Sequence, residues 1–216
     1  MQALLGIDLG TTGVKAALFA ADDGRMLADA FFDYPLYHPH PGWAEQNPAE
    51  WWQATVSAIR ACLDAAKQQG VRPADVRGLG LSGQMHGVVL LDERQNVLRP
   101  CIIWADQRSE AQCRWITERV GEEKLIEYVS NPALTGFSAP KLLWIRDNEP
   151  EIFARARTML LPKDYIRYRL TGVLAMEISD AAGTCLLDVK HGVWSQEVIR
   201  ALDLDPALLP PLVPAD

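Results

Sequence analysis

The sequence predicts an α/β domain with a mixed central sheet flanked by helices, and three observations carry that expectation. Two apolar runs, 4–9 and 14–19, are joined by a turn made only of Gly and Thr. A well-marked helix start follows at Asn47, and the run 76–82 returns to strand character. Of 216 residues, 49% are hydrophobic and 23% charged, so the chain has apolar content for one large domain or two small ones.

Taken in order, residues 3–8, 14–20 and about 25–34 read as three strands, with a turn at 21–24 closing the second hairpin. The stretch 34–42 carries Pro35, Pro39 and Pro41 and reads as an extended loop. His38 and His40 lie in it without a third metal ligand nearby, which favours a solvated loop over a metal site. Asn47, Pro48 and Glu50 supply a cap, a first-turn proline and a capping-box carboxylate. Trp52, Val56, Ile59 and Leu63 then recur at helical spacing and are expected to face the core. Runs 76–82 and 87–92 form a second apolar pair around Gly83-Gln84-Met85-His86-Gly87, and 101–104 reads as another strand. Beyond residue 108 the pattern is mainly helical, with a short apolar run at 158–161 and a last helix at 194–202.

The totals exclude several classes. A net charge of −7 with no basic run disfavours nucleic acid and anionic membrane as partners. No apolar run approaches the roughly 20 residues of a membrane helix. The N-terminus has no basic segment ahead of its apolar run, unlike a signal peptide. The four cysteines show no paired spacing, so reduced, mostly structural thiols in a cytoplasmic protein are expected.

The chemistry concentrates at two places. The turn Gly10-Thr11-Thr12-Gly13 presents little-shielded backbone N–H groups and two hydroxyls, as a nest for phosphate oxygens does. Asp8 before it suits Mg²⁺ held through water, and Lys15 after it adds a point charge. A plain β-hairpin turning on glycine is the competing reading of this stretch. Residues 78–83 match GxGxxG, but their glycines sit inside a strand followed by another apolar strand-like run. A dinucleotide fingerprint needs a helix there, so this match is rejected.

The order strand, phosphate turn, strand, strand, helix, strand resembles the opening of the actin-like, ribonuclease H-like ATPase fold. More specifically, GIDLGTTGVK at 6–15, WAEQNPAEWW at 43–52, GLSGQMHGVVLLD at 80–92, RPCIIWADQR at 99–108, FSAPKLLWIRDNEPEIF at 137–153, LLPKDYIRYRLTG at 160–172 and SDAAGT at 179–184 resemble the FGGY family of carbohydrate kinases over nearly the whole chain. The resemblance implies ATP and Mg²⁺ as cofactors, with Asp8 the metal and activity carboxylate and Gly10, Thr11, Thr12 and Gly13 on the phosphates, where the point charge of Lys15 would join them. It implies Gln84, Met85 and His86 on the sugar. Asp106, at the end of an expected strand where ligands of open α/β sheets collect, is a weaker sugar candidate that a helix cap would also explain. Met85-His86 stands where glycerol-type members carry Arg-Glu, which implies ATP-dependent phosphorylation of D-xylulose to its 5-phosphate. A neutral polyol has no charge to clamp, so imidazole and amide hydrogen bonds suit it. Other family sugars (ribulose, gluconate, fuculose, glycerol) remain the nearest alternative, and a nucleotide-binding actin- or chaperone-like module the next.

The resemblance also implies that residues 1–216 are the sugar- and phosphate-binding first domain of a two-domain kinase. Its general base, in a Gly-rich GDN-type segment, and its adenine site are expected beyond Asp216, so this chain alone is expected to be inactive. The apolar, Pro-rich stretch 207–214 is expected to pack against that missing portion, and any apolar surface left exposed there would promote self-association, with a homodimer as the matching partner expectation.

Overall fold

The structure is a computed structural model and describes residues 1–215. In chain order it runs β1 (Ala3–Leu9), β2 (Gly13–Ala20), β3 (Met26–Asp33), β4 (Glu45–Gln46), α1 (Pro48–Lys67), β5 (Val76–Gly83), β6 (Val89–Leu91) and β7 (Cys101–Ile102). Helices α2 (Glu110–Val120), α3 (Glu122–Val129), α4 (Ser138–Asn148) and α5 (Pro150–Arg155) follow, then β8 (Thr158–Leu160) and α6 (Pro162–Thr171). Last come β9 (Met176–Glu177), α7 (Ile178–Ala181), β10 (Leu187–Asp188), β11 (Val193–Trp194), α8 (Gln196–Ala201) and β12 (Leu212–Val213). Two compact units result: 1–36 with 48–84, and 37–47 with the residues from 85 on.

The first unit is a four-stranded mixed sheet in the order β3-β2-β1-β5. Strand β1 is antiparallel to β2 and parallel to β5. Strict alternation decides its faces: Ala3, Leu5, Ile7 and Leu9 are buried, as are Val14, Ala16, Leu18 and Ala20 across from them. Helix α1 packs on β2 and β3. Its buried stripe is Trp51, Ala54, Thr55, Ala58, Cys62 and Ala66, one position away from the expected Trp52, Val56, Ile59 and Leu63, which are only half-buried. Small residues let the helix approach the sheet closely, and the bulkier stripe is left to its flank. The glycines of the GxGxxG match lie inside β5, with Gly78 opposite Leu4 and Gly80 opposite Gly6.

The second unit is mainly helical, as expected beyond residue 108. Its core gathers Val88, Leu90, Ile116, Leu125, Leu142 and Met159, among others. Runs 76–82 and 87–92 prove not to be partners. β5 joins β1, whereas β6 pairs antiparallel with β8 in the other unit. The expected strand at 101–104 is shortened to β7, and Trp104 is exposed. The segment carrying β4 is pinned by ions: Glu45 accepts from Arg99 at 2.6 Å and Arg108 at 2.7 Å, and Arg99 also meets Glu149 at 2.7 Å. The Arg108 guanidinium lies 3.6 Å from the Trp43 ring centre, a desolvated cation–π contact.

Residues 207–214 dock inside this unit rather than exposing an apolar face. Leu208 and Leu209 are buried, β12 pairs with β9, and the Trp194 indole N–H donates to the Pro210 carbonyl at 2.9 Å. All four cysteines are free and buried. No helix among the described residues is long and apolar enough to cross a membrane.

Two predictions arise from this packing. A Cβ on Gly13 would sit 2.6 Å from the Phe32 carbonyl oxygen and overlap the Phe31 ring, and the carbonyl is backbone that cannot swing away. Gly13→Ala is therefore expected to lower stability by about 1–3 kcal/mol in urea unfolding, the usual cost of overpacking. The Asp164 carboxyl is fully buried, and burial pushes its pKa up to about 7. The native state then keeps a proton that the unfolded chain releases near pH 4, so this group makes stability fall as pH rises from roughly 4 to 7. Asp164→Asn carries no such proton, and its urea midpoint should drop less than the parent's between pH 5 and pH 8.

Candidate functional site

In the first unit the Gly/Thr turn is the tip of the β1–β2 hairpin, so the hairpin and nest readings describe one object. The Gly10 N–H donates to the Gly13 carbonyl at 3.0 Å, and the Tyr34 hydroxyl donates to the Gly10 carbonyl in a short bond. The Tyr34 N–H reaches the Thr12 carbonyl at 3.4 Å. Tyr34 therefore clamps the turn from the end of β3, and burial, then the Asp8 charge, holds its phenol far above its ordinary pKa. Thr12 is exposed and Thr11 half-buried at the tip.

Asp8 is exposed and faces Lys15 in the antiparallel register. Both line an open hollow of about 400 Å³ on the sheet face away from α1, together with Gly6, Gly80, Ser82 and Phe19. The Gly6–Gly80 pair opens this hollow because neither residue carries a side chain. Lys15 does not point its ammonium freely at the turn: its Nζ lies 2.9 Å from an Asp29 carboxylate oxygen. Both partners are about half exposed, so the pair is worth little and yields readily to a stronger anion. Gln84 is buried, and its backbone N–H donates to the Leu9 carbonyl at 2.7 Å, extending the β1–β5 ladder to the last residue of the unit.

In the second unit Met85 is 46% exposed and His86 half-buried, so neither is walled into the core. His86 has φ 67°, an uncommon left-handed backbone for a non-glycine residue. Four contacts hold it there. Its carbonyl accepts from the Ser138 hydroxyl at 3.1 Å and from the Lys141 ammonium at 3.2 Å. Its ring meets Phe137 edge-on at 4.8 Å, and Nδ1 lies 3.0 Å from the Gly183 carbonyl oxygen. A carbonyl only accepts, so Nδ1 carries the hydrogen and the neutral ring keeps Nε2 as an acceptor. Burial, then the Lys141 charge, pushes the His86 pKa down, and the Gly183 bond opposes them.

Asp106 is a correction. It is fully buried, its Oδ2 accepts from the Ala44 N–H at 2.6 Å, and its two oxygens accept from the Arg108 backbone and guanidinium at 2.7–3.0 Å. With both oxygens engaged in the interior it braces the 37–47 segment rather than facing an open site, and it does not cap α2, whose N-cap is Ser109.

Sequence reasoning missed Tyr34, Ser138 and Gly183. The available signals were a tyrosine wedged between a strand and Pro35, and a glycine inside SDAAGT where a Cβ would overlap the His86 ring.

The family model for the FGGY family of carbohydrate kinases, N-terminal domain, matches residues 3–216. Xylulose kinase of Escherichia coli (strain K12) is 45% identical over 208 residues, covering 96% of this chain and 41% of that protein. Xylulose kinase of Bacillus subtilis (strain 168) is 41% identical over 213 residues, covering 99% of this chain and 42% of that protein. Among solved structures, a xyloylose kinase from Brucella ovis matches at a TM-score of 0.90 with 42% identity, over 98% of this chain and 42% of that one. The chain thus spans about two fifths of the length of these relatives. A match that runs from the first strand through the last, in sequence and in backbone alike, places this chain in the FGGY family of carbohydrate kinases, through its N-terminal domain.

Proposed function

We propose that the protein to which these residues belong transfers the γ-phosphoryl group of ATP to the 5-hydroxyl of D-xylulose. The observation that carries this reading is the state of His86. Its Nδ1–H is engaged by Gly183, its ring is neutral, and it stands beside an exposed Met85. That is an uncharged acceptor beside an apolar contact, which fits a neutral polyol and not a carboxylate or a phosphate. The identity of 45% to a xylulose kinase supports D-xylulose within that class.

The turn takes the other substrate. Gly10 to Gly13, clamped by Tyr34, forms a preorganised cradle for phosphate oxygens, with Thr11 and Thr12 hydroxyls as further donors. Among the described residues no three His, Cys, Asp or Glu side chains converge on a metal site, and Asp8 offers one exposed carboxylate. One carboxylate fits Mg²⁺, which keeps most of its waters and shares phosphate oxygens. When bound, the ion neutralises charge on the phosphates. Asp8 orients that hydrated ion, Lys15 adds positive charge once drawn from Asp29, and Gln84 and Met85 with His86 orient the sugar.

The general base and the adenine pocket are assigned, in this proposal, to the part of the relatives' length that these residues do not match. Phosphoryl transfer is mostly positioning and electrostatic stabilisation, and loss of a general base alone costs roughly 10²–10⁴ in rate. The 216-residue chain is therefore expected to release no measurable ADP with D-xylulose in a coupled assay, and turnover at about 1–100 s⁻¹ would overturn the assignment. The sugar half is tested separately. Gly183→Ala drives a Cβ into the His86 imidazole, which must rotate away. D-xylulose binding to the chain, read by tryptophan fluorescence, should weaken at least about tenfold, the loss of one well-placed hydrogen bond, while the thermal midpoint stays close to the parent's.

A further inference from the structure

Lys141 is a cation buried in the second unit with no carboxylate ion-pair partner among the described residues. It is 0% exposed, and it makes no ion pair among the described residues. Its ammonium donates instead to three backbone carbonyls: Phe137 at 3.1 Å, His86 at 3.2 Å and, in a shorter bond, Gly136. A lysine taken wholly out of water is costly unless its donors are satisfied, and a methionine of similar volume would pack the site without that cost. Packing therefore does not account for the ammonium. What the ammonium does is fix one end of the Met85–His86 loop, sharing the His86 carbonyl with the Ser138 hydroxyl.

We propose that Lys141 is the positioning residue for His86: with Ser138 it holds the His86 carbonyl in the left-handed loop, so that the imidazole, its Nδ1–H on the Gly183 carbonyl, presents Nε2 to accept from a ketose hydroxyl. Its positive charge also bears on that ring, after burial the second cause of the lowered His86 pKa. The inference rests on the sugar-site reading above. Both effects follow from one location. The bond to the carbonyl sets where the ring hangs, the Gly183 carbonyl sets which nitrogen carries the hydrogen, and a positive charge nearby disfavours a second proton on the ring. The groups acting on Lys141 itself are the thiols of Cys101, Cys113 and Cys185 and the carboxylate of Asp106, and burial outweighs them, bringing Lys141 down to about 7. On His86 the charged neighbour is Lys141.

The test is an NMR titration of the 216-residue chain, with the four histidines assigned by single His→Gln variants. In the parent chain His86 should be the Nδ1–H tautomer and titrate below an ordinary histidine. Lys141→Met should raise its pKa by about half a unit or more and mix the tautomers, with Lys141→Arg restoring the shift in part. A folded Lys141→Met chain whose His86 titration and tautomer are unchanged overturns the inference. If that variant does not fold, the parent chain decides: the His86 resonances should show a second inflection where the Lys141 side chain itself titrates, and its absence overturns the inference equally. D-xylulose is then added to the parent chain. A His86 that responds to Lys141 but not to the sugar sinks the sugar assignment alone. A His86 that responds to the sugar but not to Lys141 sinks the positioning role alone.

Discussion

The first unit depends on one strand having neighbours of opposite sense. β1 bonds antiparallel to β2 on one side and parallel to β5 on the other. The antiparallel side makes the Gly/Thr hairpin possible and sets Asp8 opposite Lys15. The parallel side brings the end of β5 level with the end of β1, Gly83 opposite Leu9. Parallel pairing requires a crossover, and α1 supplies it while covering the face on which Leu5, Ile7 and Leu9 lie. A chain that left β1 without β5 would keep the turn but lose the ladder that delivers Gln84 beside Leu9.

That ladder explains the glycines that resemble a nucleotide fingerprint. Gly80 opposite Gly6 removes side chains from two adjacent strands on the face away from α1. The result is a hollow beside Asp8 and Lys15, made by the sheet and not by a helix terminus. The same tripeptide spacing thus serves close approach to a surface, where in a dinucleotide fold it would serve a strand-to-helix turn.

Legibility followed the range of the interaction. Strands β1 to β3, the hairpin turns and the start of α1 were readable because alternation, glycine and proline act within a few residues. The face of α1 was misplaced by one position because burial there is decided by how closely small residues let the helix approach, which hydrophobic bulk does not report. Runs 76–82 and 87–92 were paired on proximity in sequence, yet their partners lie about 70 residues away on either side, at β1 and β8. At the site, Asp8, the turn and the Met85–His86 loop were legible from motif and resemblance. Tyr34, Ser138 and Gly183 were not, since each matters through contacts with residues distant in sequence. Asp106 misled because a carboxylate near a strand end looks the same in sequence whether it faces solvent or, as here, an arginine in the interior.

Two of the buried cations of the second unit, Arg108 and Lys141, differ in kind, and the difference bears on function. Arg108 is held by Asp106 and Glu45 and stacked near Trp43, and a guanidinium does not lose its proton in a protein. It is a permanent brace. Lys141 has only carbonyls for partners, and burial brings it down to about 7. Its charge is therefore labile near neutrality, while two of its three hydrogen bonds survive loss of one proton, since a neutral amine keeps two N–H donors. A brace that must stay rigid calls for the arginine; a group that sets both the place and the charge state of a neighbouring imidazole calls for the lysine. The second unit uses each where its chemistry fits, and only the lysine touches the loop that carries His86.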